Sequence, residues 1–223
     1  PQEASVRYNL GRVYEKLGKD EPALEEYLAF LKLAPRDPRA NNMRARVALF
    51  YENAQQLDAA VALYGELIAS DPSRASAHFA LAGIYYRRAR YDDALPEYEE
   101  VVRLDPTNAA AHSNIGFINR IKGRLEEAVA HFTRAVELDP TDISSLHFLG
   151  TVQSELGNIA ESLSWLHKVI ELQPEHPLAH YAIGKILAKQ GDREGAQREF
   201  ELHRKIQAAE RKKQTTATTM EVN

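Results

Sequence analysis

The sequence predicts an all-α chain: a solenoid of six helical hairpins followed by a helical extension. Three observations carry that expectation. Residue types recur with a period of 34, so that Asp71-Pro72, Asp105-Pro106, Asp139-Pro140 and Gln173-Pro174 are evenly spaced, and such a period marks a repeat architecture. Within each period apolar residues recur at three and four, the spacing of an amphipathic helix. In the stretch Asn114 to Pro140 they are Ile115 and Ile118, then Leu125, Ala128, Val129, Phe132, Ala135, Val136 and Leu138. Finally, a small residue in the first half of each unit (Gly11, Ala48, Ala82, Gly116, Gly150, Gly184) is matched by a large one in the second (Tyr27, Tyr64, Tyr98, Phe132, Leu166, Phe200). Small against large at a fixed offset lets two helices approach closely and still fill the space between them.

The units fall at 4–37, 41–74, 75–108, 109–142, 143–176 and 177–210, which places the solenoid at 1–213 and leaves a threonine-rich tail at 214–223. In unit 1, Pro22 sits in the first turn of the second helix, where its missing N–H does no harm. Three extra residues separate units 1 and 2, and Pro38 rigidifies that joint. Gly18, Gly123, Gly157 and Gly191 fit the left-handed residue that ends a first helix. Units 2 and 3 carry Gln55 and Ala89 instead, at a cost of about 1 kcal/mol if the position is left-handed. In unit 3, Asp92 is read as the cap of the second helix, with Pro96 near its start. Unit 6 lacks the closing proline, so its last helix runs on through Glu199 to Lys213. The tail, QTTATTMEVN, shows no helical periodicity and is expected to be disordered.

These small, aromatic and proline positions resemble the tetratricopeptide-repeat pattern, which wants small residues at positions 8 and 20 of each unit, an aromatic at 24 and proline at 32. The resemblance covers all but the termini. It implies a right-handed superhelix whose concave wall, formed by positions 2, 5, 6, 9, 12 and 13 of each first helix, binds a protein or peptide partner. Mapped residue by residue, that wall offers thirteen anchors: Tyr8, Arg12, Arg46, Leu49, Phe79, Tyr86, Arg87, Asn114, Phe117, Arg120, Phe148, Tyr181 and Lys185. It holds seven basic residues (Arg12, Lys16, Arg46, Arg87, Arg120, Lys185, Lys189) against three acidic ones (Glu15, Glu52, Glu155). Rings bury large areas and guanidinium groups engage carboxylates bidentately. The expected guest is therefore an extended segment with acidic and apolar side chains. The competing expectation is that several of these rings pack between adjacent first helices.

The lysine-asparagine clamp of chaperone-binding relatives is matched only in part, by Asn9, Asn42 and Arg46. An asparagine ladder is also lacking, because only Asn9 and Asn114 fill its position. The alternative role is that of an accessory subunit in a larger assembly, working through the convex face and the C-terminal helix. Single-stranded RNA is disfavoured by the formal net charge of −4 and by the 34-residue period.

No catalytic constellation, cofactor motif or metal-ligand spacing emerges. His78, His112 and His180 share one repeat position, which packing explains. His176 and His180 are separated by a turn containing Pro177, and no cysteine is present. No apolar run reaches the length of a membrane span. The compartment reads as cytoplasmic or periplasmic, with the lack of cysteine leaning toward export. Because the first residue is Pro1, the chain is expected to be processed or excised from something longer.

Overall fold

A computed structural model describes the backbone of residues 2–221 and the side chains of residues 2–213. Among the described residues there are twelve helices and no strand. The chain divides into two compact units, each of three hairpins. The first unit, Pro1–Pro106, contains α1 (Gln2–Lys16), α2 (Asp20–Leu33), α3 (Ala40–Asn53), α4 (Leu57–Ser70), α5 (Ala75–Arg87) and α6 (Tyr91–Leu104). The second, Thr107–Asn223, contains α7 (Ala109–Ile121), α8 (Leu125–Leu138), α9 (Ile143–Glu155), α10 (Ile159–Leu172), α11 (Pro177–Gln190) and α12 (Arg193–Glu221).

Each hairpin closes on the pair of residues that the repeat pattern singles out. A Cβ built on Gly11 would lie 2.6 Å from the Tyr27 ring, on Gly116 2.9 Å from Phe132, on Gly150 2.8 Å from Leu166 and on Gly184 2.7 Å from Phe200. These positions have no room for a methyl group. In hairpins 2 and 3 the small residue is Ala48 or Ala82, both fully buried, opposite Tyr64 or Tyr98. Within each unit the second helix of one hairpin then packs on the first helix of the next. Tyr27 and Phe30 of α2 bury Met43 and Val47 of α3. Tyr64 and Leu67 of α4 meet Leu81 and Ile84 of α5. In the second unit a single core runs from Phe132 and Val136 of α8 through Leu146 and Leu149 of α9 and Leu166 of α10 to Ile183 of α11.

Turn chemistry follows the sequence, at a price in two places. One of the two residues after each first helix has positive φ, whether it is Gly18, Gly123, Gly157 and Gly191 or Gln55 at 59° and Ala89 at 54°. A side chain there strains the backbone. The three-residue insertion is clasped by Asp37, whose carboxylate accepts from the Arg39 backbone N–H at 2.9 Å and from its guanidinium at 2.8 Å. Those hydrogen bonds, the side-chain ones first, hold the Asp37 carboxyl down at about 2. Pro38 is thus joined by an ion pair in fixing the joint.

One expectation needs correction. The cap of α6 is Arg90, not Asp92, and Asp92 lies in the first turn. Pro96 is therefore the sixth helical residue, beyond the four whose N–H groups are unpaired in any helix, and it removes a rung of the helical ladder. The backbone of α12 continues to Glu221. The side chains of the threonine-rich segment, and residues 222–223, lie outside the described residues.

Two stability changes follow. Ala89→Gly and Gln55→Gly should each raise the unfolding free energy by about 1 kcal/mol, because the relief of left-handed strain exceeds the added chain entropy; chemical denaturation measures it. Gly116→Ala should lower it by about 2 kcal/mol through overpacking against Phe132, and adding Phe132→Leu should recover part of that loss.

Candidate partner-binding face

The first helices present the mapped stripe, but much of it is already engaged. In the first unit Glu15 accepts a hydrogen bond from the Tyr27 hydroxyl at 2.6 Å and pairs with Arg46 at 3.2 Å. One hairpin further, Glu52 accepts from the Tyr64 hydroxyl at 3.3 Å and pairs with Arg87 at 2.6 Å. Burial foremost, then the adjoining carboxylates, raises both tyrosine pKa values. In the second unit Arg120 is gripped by Glu155, at 3.1 Å from Nε and 2.5 Å from Nη2. Three of the four arginines expected to receive a partner's carboxylates therefore already hold carboxylates of a neighbouring hairpin. Such exposed pairs contribute about 0.2–1 kcal/mol each, so they tie the hairpins together only modestly.

Most of the rings are committed as well. Tyr8 lies 5.5 Å from Phe30, with the Arg39 guanidinium 4.7 Å over its ring. Phe79 meets Tyr98 edge-on at 5.6 Å, and Tyr86 meets Tyr91 at 5.8 Å. Phe117 and Phe148, on adjacent first helices α7 and α9, are edge to face at 5.2 Å, and Phe148 stacks on Phe132 at 5.6 Å. Asn114 is half-buried beside them, and Leu49 is exposed. Of these contacts only that of Phe117 with Phe148 joins adjacent first helices; Tyr8, Phe79 and Tyr86 instead pack against the second helix of their own hairpin.

What remains open gathers at two places. In the first unit a shallow trough lies between Tyr8, Arg12, Asn42, Arg46 and Leu49. In the second a trough of about 250 Å³ is lined by Arg120, His147, Ser154, Leu178, Tyr181, Lys185 and Lys189. Here Tyr181 and Leu178 are 44% and 51% exposed. Tyr181 leans on Phe200 at 5.7 Å and His203 at 5.2 Å, and the Lys185 ammonium stands 5.8 Å from its ring. Lys185 and Lys189 have no carboxylate partner among the described residues. Of the thirteen anchors the structure brings Arg120, Tyr181 and Lys185 to this trough. His147, Leu178 and Lys189 complete it; all three fell on the mapped stripe, Leu178 and Lys189 being exposed and His147 half-buried.

Tetratricopeptide-repeat models match residues 51–109, 84–143 and 149–208, and another matches 4–37. The chain belongs to the tetratricopeptide-repeat family. Its tetratricopeptide hairpins make it, at a general level, a scaffold for protein–protein contact. Comparison with curated proteins finds no match. Among solved structures it is similar to YrrB, described as a tetratricopeptide-repeat protein with an unusual peptide-binding site (24% identity, TM-score 0.72, 81% of this chain and 93% of that one). It is also similar to MamA from Desulfovibrio magneticus (21%, 0.67, 79% and 98%). A third similar structure is a tetratricopeptide-repeat protein from Parabacteroides merdae (15%, 0.74, 96% and 89%). At these identities the likeness is one of fold.

The histidines of this tetratricopeptide array serve the hairpins. His78 contacts Glu97 at 2.6 Å and the Pro72 carbonyl at 3.1 Å; His180 repeats this with Glu199 at 2.6 Å and the Pro174 carbonyl at 2.8 Å. His112 instead meets His131 at 3.2 Å. His176 caps α11 by accepting from the Ala179 N–H at 3.0 Å. His147, in the trough, lies 5.3 Å from the His176 ring. Burial first, then His176 and Arg120, pushes the His147 pKa down to about 4, and burial also lowers those of His131 and His176.

An unfolded chain, whose histidines titrate near 6.5, binds more protons than the native one between that pH and the depressed native value. Stability should therefore fall as pH drops from about 6.5 to 4, with His147 contributing about 2–3 kcal/mol of the loss. Urea melts across that range should show a shallower pH dependence for His147→Gln than for the wild type.

Proposed function

We propose that the chain is a non-catalytic scaffold whose trough on α9 and α11 binds an extended partner segment carrying acidic and apolar side chains. The observation that supports this most directly is the coincidence of exposed Tyr181 and Leu178 with the two ammonium groups of Lys185 and Lys189. Apolar surface left in water beside cations without carboxylate partners is suited to a guest that supplies both an apolar side chain and a carboxylate. The ring of Tyr181 is held by Phe200 and His203, so little side-chain freedom is lost on binding. The Arg120–Glu155 pair flanks the trough and orients Arg120 rather than leaving it to find a ligand.

A labelled peptide alternating glutamate and leucine should bind the wild type with an affinity that falls as salt rises. Lys185→Ala with Lys189→Ala should weaken it by about tenfold, as should Tyr181→Ser. Fluorescence anisotropy measures this, and unchanged affinity in both variants would refute the trough as the binding site.

A further inference from the structure

The trough of α9 and α11 contains one ionisable side chain whose setting its lysines and tyrosine do not explain. His147 lines it from α9, half-buried, with its ring 5.5 Å from that of Phe148 and 5.3 Å from that of His176. The ionisable groups that act on it are His176, the cap of α11, and Arg120 of α7, and positive charge on either opposes a proton on His147. The other charges around the trough do not offset this. Glu155, two turns along α9, is held by Arg120; His180 of α11 is turned to Glu199; Glu210 of α12 acts on His176; and Lys185 and Lys189 are themselves cations. His78 and His180 each have a glutamate oxygen 2.6 Å away. Among the described residues no carboxylate is bonded to His147, so a half-buried imidazole stands among cations without a counter-charge, the setting in which it stays neutral.

We propose that His147 couples the trough to pH: it is neutral while the trough is open and takes up a proton when a carboxylate of an acidic partner segment enters, so that such a segment binds more tightly as pH falls. The coupling rests on the trough being the binding site. An entering carboxylate supplies the counter-charge that the free chain lacks, and one within about 4–6 Å raises an imidazole's pKa by about 1–3. Burial, His176 and Arg120 push the free value down to about 4, which leaves the whole rise below neutrality. Between the free and bound values the complex holds more protons than its separated components, and affinity increases as pH falls through that window. The guest's own carboxylates act in the opposite direction, because their protonation weakens binding. The chain's folding stability also declines over this window, and a bound guest offsets that loss.

The test uses the full chain and the labelled glutamate–leucine peptide at constant ionic strength, with circular dichroism establishing that the chain is folded at each pH. Between pH 7.5 and pH 5 the dissociation constant should fall by about tenfold for a rise of about two in the His147 pKa. His147→Gln should abolish most of that fall. Titration calorimetry of the unsubstituted chain at about pH 5.5, repeated in buffers of different ionisation enthalpy, should report uptake of about 0.7 of a proton, a readout that needs no variant. The two ways of failing are distinct. Binding at pH 7.5 that Lys185→Ala with Lys189→Ala does not weaken would refute the trough and the coupling with it. Binding that those changes do weaken, but that is flat in pH, takes up no proton or keeps its slope in His147→Gln, would overturn the coupling alone.

Discussion

The two helices of a hairpin approach closely enough to exclude a methyl group at Gly11, Gly116, Gly150 and Gly184, and the rest of the structure inherits its geometry from there. With glycine at 11, 116, 150 and 184, the ring or branched chain sixteen residues later rests almost on the opposing backbone. Side-chain size thus sets the distance between the helices, because an interior packed at crystalline density has no slack for an extra methyl group. Once that distance is set, the left-handed residue after the first helix has to turn the chain within three residues. The fold enforces the turn even on Gln55 and Ala89. The strain at those two residues shows which requirement dominates: closure of the hairpin outweighs the roughly 1 kcal/mol of local preference.

A second clasp reinforces the first. Position 4 of a hairpin meets position 23, nineteen residues later, as Arg7 with Glu26, His78 with Glu97, His112 with His131 and His180 with Glu199. The pairing survives changes in chemistry, so the geometry comes first and each hairpin fills it with what its sequence offers. A shared repeat position for His78, His112 and His180 is what such a clasp produces.

What could be read from the sequence, and what could not, follows from the same physics. The hairpin boundaries, the small-and-large pairs and the strained turns were legible because each was written six times at a fixed offset. The stripe of first-helix residues was legible too, for that reason. Its engagement was not. Arg46, Arg87 and Arg120 find glutamates at separations of 31, 35 and 35 residues and from different positions in their repeats, so no single offset announces the pairs. Whether Phe117 faces a guest or Phe148 depends on how far one hairpin rotates against the next, which a periodic pattern does not encode. Asp92 had the chemistry of a cap, but α6 starts two residues earlier than a cap there allows because packing of Ala94 and Tyr98 fixes where the helix lies.

A repeat array uses its own complementary groups in stacking, and only residues without a counterpart remain for other molecules. In the interior that accounting leaves little: glutamates take the arginines, neighbouring rings take the rings, and second helices cover the apolar flanks of first helices. The exceptions among the described residues gather at the trough of α9 and α11, where the ammonium groups of Lys185 and Lys189 stand beside the exposed ring of Tyr181. The proposed acidic and apolar guest rests on that combination, because charge and apolar surface left over from stacking are what a complementary segment can answer.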